Sequence, residues 1–264
     1  MPSTYMRVAV KAAKEAGKIH LKYFNTPIKI RHKSGPNDQV TIADTESEQK
    51  IVQTIKKHFP QHNILAEENK YEKTDSEYTW IIDPLDGTNN FSHGMPFFCC
   101  SISLAKKGKP ILGVIFDPIR KELFTAEKGK GAVLNEKKIH VSNNSDLNDC
   151  LLITGFYYNR GIPLLKSLVN IKHFFLKGIL GIRRMGSAAL DMCNIACGRA
   201  DGFWELYLSE WDFAAGKIII EEAGGKLTNK AGEELRIRPG YVVASNGLIH
   251  KAMLKIINKD ETIF

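Results

Sequence analysis

An apolar strand that runs straight into two closely spaced acids constrains this chain more than any other stretch: Trp80-Ile81-Ile82-Asp83-Pro84-Leu85-Asp86-Gly87-Thr88-Asn89-Asn90-Phe91. A short apolar run bounded by turn residues reads as a buried strand. Asp83 is therefore placed at the end of a core strand and Asp86 in the loop beyond it. Two carboxylates held together repel each other, and cations between them relieve the repulsion; hard oxygen ligands of this kind suit Mg²⁺. Pro84 fixes its own φ and stiffens the turn. The Leu85 carbonyl lies between the acids as a neutral oxygen. Gly87 lets a ligand approach the backbone closely, and the N–H groups of Gly87 and Thr88 can point at an anion. Metals plus an anion cradle are the equipment of a phosphate-ester hydrolase. Asp-Pro-x-Asp-Gly is also ordinary surface-turn chemistry, which stays open from this stretch alone.

Spacing excludes two other motifs. A calcium loop requires acids or amides at alternate positions, and Leu85 breaks that pattern. Phosphatases with an aspartyl nucleophile carry Asp-x-Asp-Gly-Thr, and here Pro84 stands where their nucleophile would be. The acids are thus expected to hold metal rather than to form a phosphoenzyme. The 264 residues suffice for a large core, and no apolar run reaches membrane-spanning length. The start, Met1-Pro2-Ser3-Thr4, is not a secretory signal, so cytoplasm is the expected location. Five cysteines without a Cys-x-x-Cys pair read as buried thiols, Cys99 and Cys100 facing opposite sides of a strand. The net charge of +8 raises nucleic acid as a partner, but the lysines are scattered rather than blocked together.

In chain order, Tyr5, Ala9, Ala12, Ala16, Ile19 and Tyr23 mark a helix over 5–24, followed by a short strand over 28–31 and a polar loop around Lys33 and Asp38. A second helix opens at Asp44, with its acids in the first turn, and closes at Pro60. A strand over 63–66 runs into Glu67 and Glu68, which read either as site acids or as a solvated pair. From Phe98 to Asn135 the pattern is β; Lys128-Gly129-Lys130-Gly131 has the glycines of a phosphate loop without the spacing, and reads better as a hairpin. Strands follow at 151–154, 182–185, 201–205 and 241–245. Helices are expected over 163–176, from Gly186-Ser187-Ala188 to Arg199, from Asp212 as N-cap, and over 247–258.

Four stretches together resemble the inositol monophosphatase family: Ala66-Glu67-Glu68; Trp80 to Thr88; Gly186-Ser187-Ala188-Ala189-Leu190; and Trp211-Asp212-Phe213-Ala214-Ala215-Gly216 with Glu222-Ala223-Gly224-Gly225. The likeness runs from about residue 5 to 258. It implies a layered α-β-α-β-α sandwich shared with fructose-1,6-bisphosphatases. It further implies one domain over 1–264, with roughly 1–140 serving metal and phosphate and 141–264 the substrate. The activity implied is Mg²⁺-dependent, lithium-sensitive hydrolysis of a phosphate monoester by a homodimer. Carried over by motif position, Glu67, Asp83 and the Leu85 carbonyl hold one metal, and Asp83, Asp86 and Asp212 a second. Gly87 and Thr88 cradle the phosphate. Asp44, Thr88 and Glu67 orient the attacking water. Gly186, Ser187, Ala188 and Glu205 line the inositol or sugar side. Lys33 and Asp38 lie in a mobile loop that influences a third, weaker metal. Relatives with this core act on inositol phosphates, fructose 1,6-bisphosphate or nucleotide 3′-phosphates; Gly186–Leu190 and Glu205–Asp212 look most like bacterial inositol monophosphatases. Some bacterial members also partner the transcription machinery, which makes RNA or RNA polymerase the alternative partner.

Overall fold

A computed structural model describes residues 2–32, 39–156 and 161–259. The elements run α1 (Thr4–Tyr23), β1 (Arg31–His32), β2 (Gln39–Val40), α2 (Ile42–His58), β3 (Asn63–Ala66), β4 (Tyr78–Asp86), α3 (Thr88–Ser92), β5 (Cys99–Lys106), β6 (Lys109–Asp117), β7 (Glu122–Glu127), β8 (Ala132–Leu134) and β9 (Lys137–Ile139). They continue with β10 (Leu151–Thr154), α4 (Ile162–Lys177), β11 (Gly181–Arg183), α5 (Ala188–Ala196), β12 (Gly202–Leu208), α6 (Glu210–Glu222), β13 (Lys226–Thr228), β14 (Gly240–Ser245) and α7 (His250–Ile257).

Strands β3 to β9 form one sheet in sequence order; β3 and β4 are parallel and the rest antiparallel. A second sheet has the order β11-β10-β12-β14-β13. Its first three strands are parallel, and β14 runs antiparallel to both its neighbours. Alternation along the central strands assigns the layers. On β4 and β5, Trp80, Ile82, Cys100, Ile102 and Leu104 face α1 and α2, whose Ala9, Ala12, Ala13, Ala16, Ile51 and Ile55 complete that core. Small residues on α1 let the helix lie close to the sheet. Cys99 and Ile115 face the other way, onto α5 and α6, which are sandwiched between the sheets and touch Phe203, Val242 and Ala244 of the second. The far face of that sheet carries α4 and α7, through Phe174, Met253 and Ile257. The result is the five-layer α-β-α-β-α order. The five cysteines are free, Cys99 and Cys100 on opposite faces. No helix of the described residues is long and apolar enough to cross a membrane.

Several boundaries differ from the sequence reading. β4 does not stop at Asp83 but continues to Asp86. Asp83 pairs with Ser101 and Asp86 with Cys99, so three steps on β4 match two on β5 and β4 carries one extra residue. This bulge has a specific consequence. Residues three apart on a regular strand face opposite sides; the extra residue returns Asp86 to the face of Asp83. Pro84, which has no N–H to donate, is tolerated there. α2 starts at Ile42 because Thr41 caps it, leaving Asp44 inside the first turn. Likewise Ser209 caps α6 and Asp212 lies inside its first turn, not at the cap. α5 begins at Ala188, with Ser187 as its cap and Gly186 outside it. The strand expected at 28–31 is reduced to Arg31–His32, the one at 182–185 shifts to Gly181–Arg183, and the one at 201–205 extends to Leu208.

Two buried imidazoles hold the layers together. His20 of α1 donates from Nε2 to the Pro84 carbonyl at 2.8 Å, at the centre of the bulge. His250 at the start of α7 lies 2.9 Å from both the Ser245 and Thr228 hydroxyls, joining α7 to β14 and β13. Burial, with Lys226 adding to it, pushes His250 down to about 4 from the ordinary 6.5. Between those values the unfolded chain binds a proton that the folded protein refuses. The stability that neutral His250 contributes is therefore complete above pH 6.5 and is lost as pH falls toward 4. Wild type should exceed His250→Gln in unfolding free energy at pH 7.5, with a gap that narrows steadily down to pH 4.5 in urea titrations. A gap that does not change with pH would remove the imidazole from this role.

Candidate active site

The bulge in β4 presents Asp83 and Asp86 on the face that meets α6, where Trp211 approaches closely enough for its carbonyl to accept from Ser101 Oγ. Asp212, inside the first turn of α6, comes in from the other side, its Oδ2 accepting the Ser209 N–H at 2.7 Å. Glu67 arrives from the end of β3, parallel to β4. The four carboxylates crowd together, Asp83 buried and the other three half-buried at the floor of an open cleft. Asp83 is pushed well above the usual carboxylate range by burial first, then by the charges of Glu67, Asp86 and Asp212, and it shares a hydrogen bond with Glu67. Two carboxyl groups can hydrogen-bond only with a proton between them. Asp212 is raised well above its ordinary value by burial and by Asp86 and Glu67. Burial lifts Asp86 to about 6 against the pull of Ser187 and Ala189.

Each carboxylate also leans on protein donors. Asp83 Oδ1 accepts the Leu85 N–H at 3.0 Å, which closes the turn over Pro84. Asp86 Oδ2 accepts the Ser187 hydroxyl at 2.6 Å and the Ala189 N–H at 2.7 Å. The start of α5, read in the sequence as a place for an anion or a sugar, thus receives a carboxylate of the protein itself. Gly129 and Gly131 behave the same way: their N–H groups, both 2.7 Å away, take the carboxylate of Glu222 and complete the expected hairpin.

Beside these acids, the Thr88 hydroxyl lies 2.8 Å from Asp44 Oδ1 and 2.9 Å from the Leu85 carbonyl. Asp44 Oδ2 is fixed by the Thr41 N–H at 2.8 Å and the Thr41 hydroxyl at 2.6 Å. Burial lifts Asp44 to about 6 despite Thr41, and the charge of Glu67 adds to it. Gly87 has φ +96°, and a side chain there would come within 2.9 Å of the Phe97 carbonyl. Glycine is thus required for both conformation and space.

A cleft of about 270 Å³ opens over this cluster, lined among others by Glu67, Asp86, Gly87, Thr88, Asp212, Gly186, Ser187, Ala188 and Glu205. Asp83 and Asp44 sit behind the lining, 2% and 0% exposed. The structure therefore brings together every described residue singled out from the sequence; Lys33 and Asp38 lie outside the described residues. It also adds some that sequence reasoning passed over. Asp191 and Arg184 line the cleft. Buried Glu48 of α2 accepts the Glu68 N–H, the Asn69 amide and the Tyr71 hydroxyl, and so fixes the segment that carries Glu67. Asn90 donates to the carbonyls of Phe97 and Met185, both at 2.8 Å, and joins the β4 turn to the segment before α5. Gly155 leaves room for Glu205, whose carboxylate would meet a Cβ there. A lone acid in the apolar run Ala188–Ala196 was the available signal for Asp191.

Among the described residues no three His, Cys, Asp or Glu side chains enclose a point as a metal cage would. The donor set nevertheless fits a hard divalent cation: carboxylate oxygens and one backbone carbonyl, whose mutual repulsion a cation relieves.

The inositol monophosphatase family model matches residues 1–261. The Escherichia coli K12 protein named Nus factor SuhB is 41% identical over 251 residues, covering 94% of each chain. A solved structure of a Thermotoga maritima IMPase has a TM-score of 0.90 at 36% identity, with 97% of each chain covered. One of an IMPase/NADP phosphatase complexed with Mg²⁺ and phosphate has a TM-score of 0.82 at 26% identity, covering 94% of this chain and 92% of that one.

Crowded carboxylates cost folding energy where nothing neutralises them. In a chelator, Asp83→Asn should be more stable than wild type by about 1 kcal/mol, as expected when a strained functional cluster is relieved. Mg²⁺ should raise the melting temperature of wild type and leave that of the variant nearly unmoved. A variant destabilised in chelator would contradict this account of the cluster.

Proposed function

The chain belongs to the inositol monophosphatase family, and from that premise we propose that it hydrolyses a phosphate monoester, inositol 1-phosphate first among candidates, with Mg²⁺. The observation that carries the reading is the bulge of β4, which turns Asp83 and Asp86 to one face opposite Asp212 and beside Glu67. Glu67, Asp83, Asp86 and Asp212, with the Leu85 carbonyl, are the residues to hold the metal, in two sites. When bound, Mg²⁺ supplies positive charge to the reacting phosphate and lowers the pKa of water.

The protein groups divide the remaining work. With its hydrogen directed to Asp44 Oδ1, the Thr88 hydroxyl keeps its lone pairs for a hydrogen bond from the attacking water. Asp44, locked by Thr41, keeps that hydroxyl from turning. Glu67 accepts the proton as the water oxygen bonds to phosphorus. The Gly87 and Thr88 N–H groups bind the phosphate oxygens, where charge accumulates in a loose transition state. On the opposite side of phosphorus the bond to the alcohol oxygen breaks, and the departing alkoxide takes a proton from solvent water in the open cleft. Gly186, Ser187, Ala188 and Glu205 bound the space for that alcohol. No covalent enzyme intermediate is needed in this scheme, because the attacking oxygen is that of water.

Phosphate release from inositol 1-phosphate, fructose 1,6-bisphosphate and adenosine 3′,5′-bisphosphate tests the reading, with and without Mg²⁺. We expect Mg²⁺-dependent release and a loss of at least about 10²-fold in Asp83→Asn, the scale of removing one electrostatic contributor. Folded wild type that releases phosphate from none of them sinks the proposal.

The likeness to Nus factor SuhB carries a second reading, a transcription-associated role that needs no metal cluster. Salt-dependent RNA or polymerase binding that survives in Asp83→Asn would support it; equal loss of binding and hydrolysis would count against it.

A further inference from the structure

Behind the β4 bulge the protein is apolar. Ala43, Leu85, Phe91 and Phe98 form this wall, with Tyr23, Phe24 and Ile28 packed against them. A polar ring stands among them, that of His20, which lies near the end of α1 and is 0% exposed. Phe91 and Phe98 meet it edge-on, their centroids 6.3 and 5.9 Å away. Its Nδ1 has no hydrogen-bond partner among the described residues. Burial pushes the ring down to about 4 from the ordinary 6.5, so it is neutral at pH 7. A carbonyl can only accept, so the single ring hydrogen sits on Nε2 and points at the Pro84 oxygen, 2.8 Å away. An aliphatic side chain would fill the same space without stranding a nitrogen, and a buried unpaired polar atom is costly. What the aliphatic side chain would lack is the bond to Pro84.

That bond reaches the metal-side oxygens through one peptide group. The Pro84 carbonyl and the Leu85 N–H belong to the same peptide unit, which is planar and turns as a body. His20 holds its oxygen, and Asp83 Oδ1 accepts its hydrogen at 3.0 Å. Held at both ends, the unit keeps one orientation, and Asp83 keeps one with it. Hydrogen bonds in series also polarise each other, so donation to the carbonyl makes the N–H a stronger donor to the carboxylate. The Leu85 carbonyl follows, since the Leu85 side chain is buried in the same apolar wall and the Thr88 hydroxyl lies 2.9 Å from that oxygen. Pro84 has no N–H of its own with which to anchor the turn. A helix that supplies none of the proposed ligands thus bears on two of them.

We propose that His20 is a positioning residue for the metal centre: acting through the Pro84–Leu85 peptide, it holds Asp83 Oδ1 and the Leu85 carbonyl in the orientation that binds Mg²⁺. The inference rests on the metal-dependent reading above, and it names a residue of α1 outside the motifs that identified the site.

The test compares wild type with His20→Leu, which fills the space without a donor, and His20→Gln, whose amide N–H reaches the place of Nε2. In the metal-free proteins, NMR follows hydrogen exchange of the Leu85 amide. Exchange should be at least about fivefold faster in His20→Leu, beyond any change in the amides of β6, and near wild type in His20→Gln, the scale of one hydrogen bond. Calorimetric titration should give a Mg²⁺ dissociation constant about tenfold weaker for His20→Leu and close to wild type for His20→Gln. On inositol 1-phosphate the Mg²⁺ concentration at half-maximal rate should rise in step, while kcat recovers at saturating Mg²⁺. Lower stability in both variants with unchanged Mg²⁺ affinity would reduce His20 to packing and overturn the proposal, leaving the hydrolase reading standing. Equal loss of affinity in both would assign the effect to the shape of the ring and overturn it likewise. Wild type that binds no Mg²⁺ also overturns it, and if no phosphate is released the hydrolase reading falls too. Should neither variant fold, ¹⁵N NMR of the wild-type ring decides: a hydrogen on Nε2 supports the proposal, and one on Nδ1 overturns it.

Discussion

Concentrated buried negative charge is the constraint that the rest of this molecule accommodates. Glu67, Asp83, Asp86 and Asp212 are gathered where the charges of the other three raise the ionisation cost of Asp83, and that of Glu67 also raises the cost of Asp86 and Asp212. No single element could carry them so closely. They come from the end of β3, from both sides of a bulge in β4, and from the first turn of α6. Two of the acids nearby, Asp44 and Asp212, occupy the same position in the first turn of their helices, with Thr41 and Ser209 as caps. There the free N–H groups and the positive end of the helix favour a carboxylate. Asp86 gains the same help from the first N–H groups of α5. Three helix starts therefore converge on one acidic centre, offsetting in part a repulsion that the strands alone could not hold.

The layered architecture serves this convergence. α5 and α6 lie between the two sheets, so their N-termini can reach β4 while their sides fill the core between Ile115 and Phe203. Restraints from outside the acidic group then fix the loops. His20 reaches from the outer helix layer to the Pro84 carbonyl, between Asp83 and Leu85. Glu48 holds the chain just beyond Glu67. Asn90 bridges the turn after β4 to the segment leading into α5. These are buried polar groups, and each binds at least one backbone atom, Glu48 adding the Asn69 and Tyr71 side chains. Such bonds define where a loop lies, a task for which non-directional apolar packing is poorly suited.

Much of this was legible in the residues. Apolar periodicity located the long helices and the central strands, because burial of one face leaves a period that survives in the sequence. The acids of β4 were recognisable as a pair, and the order of four motifs identified the layered fold. What could not be read is the geometry between elements. Asp86 looked like a loop residue because Pro84 and Gly87 are turn formers; pairing with β5 instead absorbed Pro84 in a bulge and carried the strand on to Asp86. Asp212 looked like a cap because it precedes the apolar part of α6, whereas Ser209 supplied the cap one turn earlier. Asp191 was overlooked for a different reason. An acid within a helix reads as solvent-facing by default, and only the packing of α5 between two sheets shows that it faces no bulk water.

That position sets Asp191 apart from the four acids gathered at β4, although it borders the same cleft. Glu205 and Asp191 stand on a different strand and helix from Glu67, Asp83, Asp86 and Asp212, yet Asp86 bears on both groups and Glu205 bears on Asp212 as well as on Asp191. The two sets of carboxylates share one cleft and, through Asp191 on α5 and Asp212 on α6, one helix layer between the sheets, so a change in either is felt by the other.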